Sequence, residues 1–210
     1  IKDVDVLNVT ENKNDDFRVT SYLVCQWFYG NENIDVKKMN TITDFILFGV
    51  ARFDENGNVY LQDLDINGKM VSGDKIYKDV IADIKSANPD VKIHCNILGP
   101  SGADYEKLHT QAFKKYDDEL IENILNLLET YDFDGLFFDY EYPYSKESLD
   151  AYSDFIVNLD DVFGQIPQGK YSVHAILING DAKTSSNIVN LEIVKGIELL
   201  RLKNLREGLV

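Results

Sequence analysis

Residues 133–143 read Phe133-Asp134-Gly135-Leu136-Phe137-Phe138-Asp139-Tyr140-Glu141-Tyr142-Pro143. A short apolar run closed by a proline is the signature of a strand buried on both faces. If residues 134–141 are extended, the period of two sends Gly135, Phe137, Asp139 and Glu141 to one side and Leu136, Phe138 and Tyr140 to the other. Two carboxylates then project the same way from the carboxyl end of a strand, where parallel α/β folds and (β/α)8 barrels place their sites. Neighbouring carboxylates raise each other's pKa by repulsion, and partial burial raises both further, so a proton is retained near neutral pH. That is the requirement for an acid catalyst. A bare Asp-x-Glu at a strand end is more often a solvated rim than a catalytic pair, so the surrounding sequence has to decide.

Working outward, the chain alternates strands and helices. Apolar runs at 19–28, 44–51, 91–98 and 171–178 read as strands. Residues 74–87 carry Ile76, Val80, Ile81 and Ile84 at helical spacing and are closed by Asn88-Pro89. Residues 118–131 present Leu120, Ile121, Ile124, Leu127 and Leu128 as one stripe, with Asp117-Asp118-Glu119 as the acidic start of the helix, and 148–163 form a further helical stretch. Residues 54–60 supply a polar turn around Gly57 and a short extended piece, an excursion after the second strand. Beyond Gly180 the pattern weakens; 187–194 suits a strand and 198–210 a helix. The alternation predicts an α/β fold on a largely parallel sheet with helical crossovers. It forms one domain over 19–210, preceded by an N-terminal extension over 1–18.

The balance of 21 Lys+Arg against 36 Asp+Glu, a net charge of -15, repels phosphate backbones and anionic membranes and so excludes nucleic acid and membrane surfaces as partners. Neutral or cationic sugars remain compatible. There is no apolar run of about 18 residues and no basic-led apolar leader. The chain begins at Ile1 rather than Met, so the missing leader says nothing about secretion. Asn8-Val9-Thr10 fits a glycosylation sequon, a triplet common by chance. Cys25 and Cys95 fall in apolar strand-like runs and read as buried free thiols. His94, His109 and His174 lack metal-ligand spacing, and Gly99-Pro100-Ser101-Gly102 lacks the lysine of a phosphate loop; no metal or organic cofactor is expected. His94 reads as a satisfied buried residue. Trp27 and Tyr142 suit stacking on sugar rings, with core packing an equal alternative.

The central segment resembles the catalytic strand of family 18 glycoside hydrolases, the chitinase and endo-β-N-acetylglucosaminidase type. The family pattern Asp-Gly-x-Asp-x-Asp-x-Glu is met at Asp134, Gly135, Asp139 and Glu141 and continues Tyr-Pro, but Phe137 stands in place of the middle acid. Upstream, Ser21-Tyr22 to Trp27 is similar to the family's first strand. Residues 42–59 are similar to its second strand and the following turn. Residues 92–99 sit where the family has a strand ending Ser-x-Gly-Gly, with Asn96 and Leu98 replacing the Ser and first Gly. The resemblance implies a (β/α)8 barrel and a substrate-assisted retaining mechanism, in which the sugar's own N-acetyl group is the nucleophile. Glu141 would be general acid/base and Asp139 would hold the acetamido group. Trp27, Tyr142 and Asn96 are substrate-binding candidates, and the partner is an N-acetylglucosamine oligo- or polysaccharide. The location, by resemblance alone, is secreted or cell-surface. The alternative is a sugar-binding relative with weak or no turnover. A barrel of this type typically takes about 250 residues, five or six strands are readable here, and the family's Met-x-Tyr-Asp-like segment is not found. The part beyond residue 180 is therefore expected to be a truncated or interrupted end of the barrel.

Overall fold

The computed structural model describes residues 18–25, 40–141, 143–165, 172–177 and 189–193. In chain order these form β1 (Thr20–Val24), β2 (Asp44–Phe53), β3 (Val59–Leu61), β4 (Leu64–Ile66), β5 (Lys69–Val71), α1 (Gly73–Ala87), β6 (Lys92–Leu98), α2 (Tyr105–Lys115), α3 (Asp117–Tyr131), β7 (Gly135–Asp139), α4 (Lys146–Gln165), β8 (Ser172–Leu177) and β9 (Val189–Ile193). The main sheet runs β1-β2-β6-β7-β8-β9. Along this order the pairings β1-β2, β2-β6, β6-β7 and β7-β8 are parallel, as helical crossovers require. This is the consecutive-neighbour order of a (β/α)8 barrel, with the described strands making part of the ring. β9 matches the strand expected within 187–194, but it pairs with β8 antiparallel. The helix expected over 198–210 lies outside the described residues.

Two short elements follow β2. β3 folds back antiparallel on β2, and β4 and β5 form a separate hairpin closed by Asn67 and Gly68, both at positive φ. An Asn-Gly pair between short extended segments is a strong hairpin signal, so this hairpin was present in the sequence although no expectation named it. α2 was likewise not anticipated. Only His109, Ala112 and Phe113 are buried along its 11 residues, too sparse a stripe to announce a helix. Its helical state follows from packing on α4, where the ring of Phe113 stacks on Phe155 at 4.8 Å.

The sheet has two chemically distinct faces. Leu23, Phe45, Leu47, Ile93, Cys95, Ile97, Leu136 and Phe138 point to the helices and join the main core. Phe138 is enclosed by Phe53, Phe113, Tyr152 and Phe155. Both cysteines are buried free thiols, and burial pushes the Cys25 thiol up to about 12. The opposite face carries Tyr22, Ile46, His94 and Gly135 in one cross-strand row. Asn96, paired with Phe137, begins the next.

At the amino end of that face, Asp44 is buried and holds three donors. His94 Nε2 lies 2.8 Å from Oδ1, Arg18 Nε 2.8 Å from Oδ2 and Thr43 Oγ1 2.6 Å from Oδ2. Burial alone would raise the Asp44 carboxyl, but these hydrogen bonds outweigh it and hold the group well below the usual carboxylate range. His94 is thus the satisfied buried residue the sequence suggested. A carboxyl depressed in the folded state contributes stability above the unfolded aspartate pKa of about 3.9, and that stability is lost as pH falls toward the folded value. Asp44→Asn is expected to cost about 2 kcal/mol in urea unfolding at pH 7, since the buried His94 ring and the half-exposed Arg18 guanidinium would then meet a neutral amide in place of the carboxylate. A loss below about 0.5 kcal/mol, the range of ordinary surface substitutions, would contradict this role.

Candidate functional site

β7 is fixed at its start by Asp134. Its backbone N donates to Ile93 O at 2.7 Å, its Oδ2 accepts from Ile93 N at 3.1 Å and its Oδ1 from Lys92 Nζ at 2.9 Å. Lys85 Nζ adds an ion pair at 3.6 Å. Asp134 therefore sets the register of β7 on β6 and sits at the far end of the strand from Asp139. Gly135 follows it, buried, beside His94.

Phe137 is buried on the barrel-side face and meets the ring of Tyr22 edge-on at 5.5 Å and 86°. Its cross-strand partner on β6 is Asn96, so two of the three departures from the family pattern, at 96 and 137, face one another; the third, Leu98, is the partner of Asp139. Asn96 was expected to contact substrate, but it is fully buried. Its Oδ1 accepts from Gly49 N at 2.8 Å and its Nδ2 donates to Phe137 O at 3.4 Å. The β2–β6 register shifts between Leu47 and Ala51, and Gly49 sits there at φ +69, a conformation L side chains rarely adopt. The Asn96 amide ties that bulge to β7 from within the sheet, which leaves it no open surface to offer a sugar.

Asp139 closes β7, half-buried, and Glu141 lies two residues on, exposed and beyond the end of the strand. Shared burial of both carboxylates, as the sequence suggested, therefore applies to Asp139 alone. Burial raises the Asp139 carboxyl above its ordinary value, and the charge of Glu141 raises it further. Tyr22 lies close enough for the charge of Asp139 to add to burial in pushing its hydroxyl up. Tyr22 is half exposed and also meets Phe48 edge-on at 6.4 Å. These two rings and Phe137 make an aromatic floor beside Asp139. Tyr22 was not singled out for that role; the signal available was its place in the alternation of β1, opposite to buried Leu23. Trp27 and Tyr142 lie outside the described residues. No group of three or more His, Cys, Asp or Glu among the described residues is placed to hold a metal ion. No helix among them is long and apolar enough to cross a membrane.

A sequence model described as glycosyl hydrolases family 18 matches residues 18–195. An endochitinase of Manduca sexta is 28% identical over 126 residues, 60% of this chain and 21% of that protein. The fold superposes with a TM-score of 0.59 on a Group IV chitinase of Ostrinia furnacalis solved with allosamidin, at 19% identity over 76% of this chain and 43% of that one. It also superposes on a chitinase-like agglutinin of Robinia pseudoacacia, with a TM-score of 0.56 at 16% identity over 75% and 46%. The chain spans less than half the length of each of these relatives.

A carboxyl raised in the folded state favours folding fully only below its unfolded pKa, and that contribution is lost as pH rises through the folded value. Above that value the Asp139 charge destabilises the protein. Asp139→Asn is therefore expected to raise Tm at pH 7, with the gain shrinking as pH is lowered through the Asp139 titration. A Tm at pH 7 lower than the parent's would contradict the raised carboxyl.

Proposed function

The chain belongs to glycosyl hydrolase family 18, and from that premise we propose that it cleaves β-1,4-linked N-acetylglucosamine chains, in chitin-like polymers or glycan cores, by a substrate-assisted retaining mechanism. The observation that carries this reading is the Asp139–Glu141 pair at the carboxyl end of β7, one acid half-buried and raised and the other exposed. Glu141 gives its proton to the glycosidic oxygen as the bond to the anomeric carbon breaks. The N-acetyl carbonyl oxygen of the same sugar forms the new bond to that carbon, so no enzyme nucleophile is consumed. Asp139 accepts a hydrogen bond from the acetamido N–H and steadies the positive charge that develops there. Glu141, now a carboxylate, takes a proton from the incoming water as it opens the cyclic intermediate, and both groups return to their starting states. No metal or organic cofactor enters these steps. Tyr22 and Phe48 offer the exposed aromatic surface on which a pyranose face can rest.

Phe137 sets the strength of the site. It puts an aromatic edge where the family pattern has a third acid, which makes the base of Asp139 drier and removes a hydrogen-bonding neighbour. This observation also supports the second reading, a sugar-binding relative of weak turnover, a role suggested by the agglutinin among the structural neighbours. Retention of Glu141 favours the enzyme, since a binder has no use for that proton.

Release of the chromophore from a chitobioside decides between them. The parent is expected to turn over and Glu141→Gln to lose about 10²- to 10⁴-fold, the usual contribution of a general acid. Equal, background-level signals from both would sink the enzyme reading. Phe137→Asp is expected to exceed the parent in the same assay, and activity no higher than the parent's would remove Phe137 as the limiting residue.

A further inference from the structure

Tyr140 separates Asp139 from Glu141 and points to the other side of β7, so whatever holds its ring also holds both acids. The ring is buried and stacks face to face on His109, with centroids 4.1 Å apart and planes 8° from parallel. Tyr152 and Phe113 close on it at 5.4 and 5.7 Å. The Tyr140 hydroxyl is buried and makes no hydrogen bond of ordinary geometry among the described residues, although Ser148 lies beside it close enough to act on it; Ser148 Oγ itself lies 2.5 Å from Glu106 Oε1 and 2.9 Å from Ser145 O. Ring contacts therefore carry most of the hold on Tyr140.

His109 is itself tightly placed. Its Nδ1 donates to Tyr105 O at 2.7 Å, and Phe53 meets its ring edge-on at 5.3 Å. Its Nε2 edge occupies space that exists only because residue 99 is glycine, since a Cβ there would lie 1.9 Å from Nε2. Arg52 holds the Gly99 carbonyl at 2.8 Å, so that segment cannot swing aside freely. Burial pushes the His109 imidazole down to about 4, outweighing the opposing hydrogen bond to Tyr105 O and helped by the Arg52 charge; the stacked ring is therefore neutral near pH 7. Gly99 is the one glycine of the Ser-x-Gly-Gly position that this chain keeps, and its close approach to His109 gives that retention a physical reason.

We propose that His109 is a positioning residue for the Asp139–Glu141 pair, acting through the stacked ring of Tyr140 and seated by Gly99. The proposal rests on the acid/base reading of that pair. A displacement on the order of 1 Å at reacting groups costs up to about 10²-fold in rate, and removal of the stack frees the residue between the two acids to move on that scale.

The test uses the full chain with His109→Ala, Gly99→Ala and the double variant, read by chromogenic chitobioside kinetics and by a carbon-13 NMR titration of the Asp139 carboxyl. Each single variant is expected to lower kcat by about 10-fold or more with KM within about twofold, and to move the Asp139 midpoint toward that of an ordinary aspartate. The double variant should be no worse than the poorer single one, because both break the same contact. Cooperative unfolding above the assay temperature is the control for folding. His109→Asn keeps a donor for Tyr105 O but loses the stacked ring; it gives the same readouts if the alanine variant does not fold. Folded variants with parental kcat and a parental Asp139 midpoint would overturn the proposal, as would multiplicative losses in the double variant. If the parent itself shows no turnover, the enzyme reading falls, and the Asp139 midpoint still decides the positioning role: moved supports it, unmoved refutes it.

Discussion

The burial of one row of side chains on β7 governs the site. Leu136, Phe138 and Tyr140 are driven against the helices by removal of apolar area from water, and the pleat then leaves the alternate row no choice of direction. Phe137 and Asp139 face the other way because their neighbours are buried. The acids themselves contribute nothing favourable to this arrangement; a half-buried carboxyl next to another carboxylate costs free energy at neutral pH. Hydrophobic packing on one side of the strand thus supports electrostatic strain on the other.

The same sheet face carries two aspartates in opposite states. At the amino end, Asp44 is surrounded by Arg18, His94 and Thr43 and is held as a carboxylate. At the carboxyl end, Asp139 is raised by burial and by a second acid. One aspartate fastens the strands and the other has its carboxyl raised, and the difference lies in the neighbours rather than the residue type. Asp134 belongs with Asp44. It begins the motif that ends in Glu141, yet its contacts with Ile93, Lys92 and Lys85 make it the anchor that sets where β7 starts.

Much of this was legible in the chain. Strong apolar runs located β2, β6 and β7, helical stripes located α1 and α3, and period-two alternation placed Asp139 at a strand end with a second acid close by. What was not legible depended on contacts between distant segments. α2 has too few apolar positions to declare itself, and its most enclosed aromatic contact comes from a histidine, His109, that stacks on Tyr140. Asn96 reads as polar and therefore available, but the bulge at Gly49 and the carbonyl of Phe137 consume its amide. Tyr22 reads in the sequence only as one position of a strand, and its meeting with Phe137 and Asp139 across the sheet appears only when β1, β2, β6 and β7 are assembled. The Asn67-Gly68 hairpin is the exception, a local signal that was present and passed over.

If the N-acetyl group of the substrate is the nucleophile and Glu141 the proton donor, as proposed, cleavage retains the anomeric configuration and requires an acetylated sugar. Proton NMR of chitotetraose hydrolysis, run beside the fully deacetylated oligomer, reads both consequences. The new reducing end is expected first as the β-anomer, with the deacetylated oligomer left uncleaved. First appearance of the α-anomer, or equal cleavage of both oligomers, would contradict that mechanism.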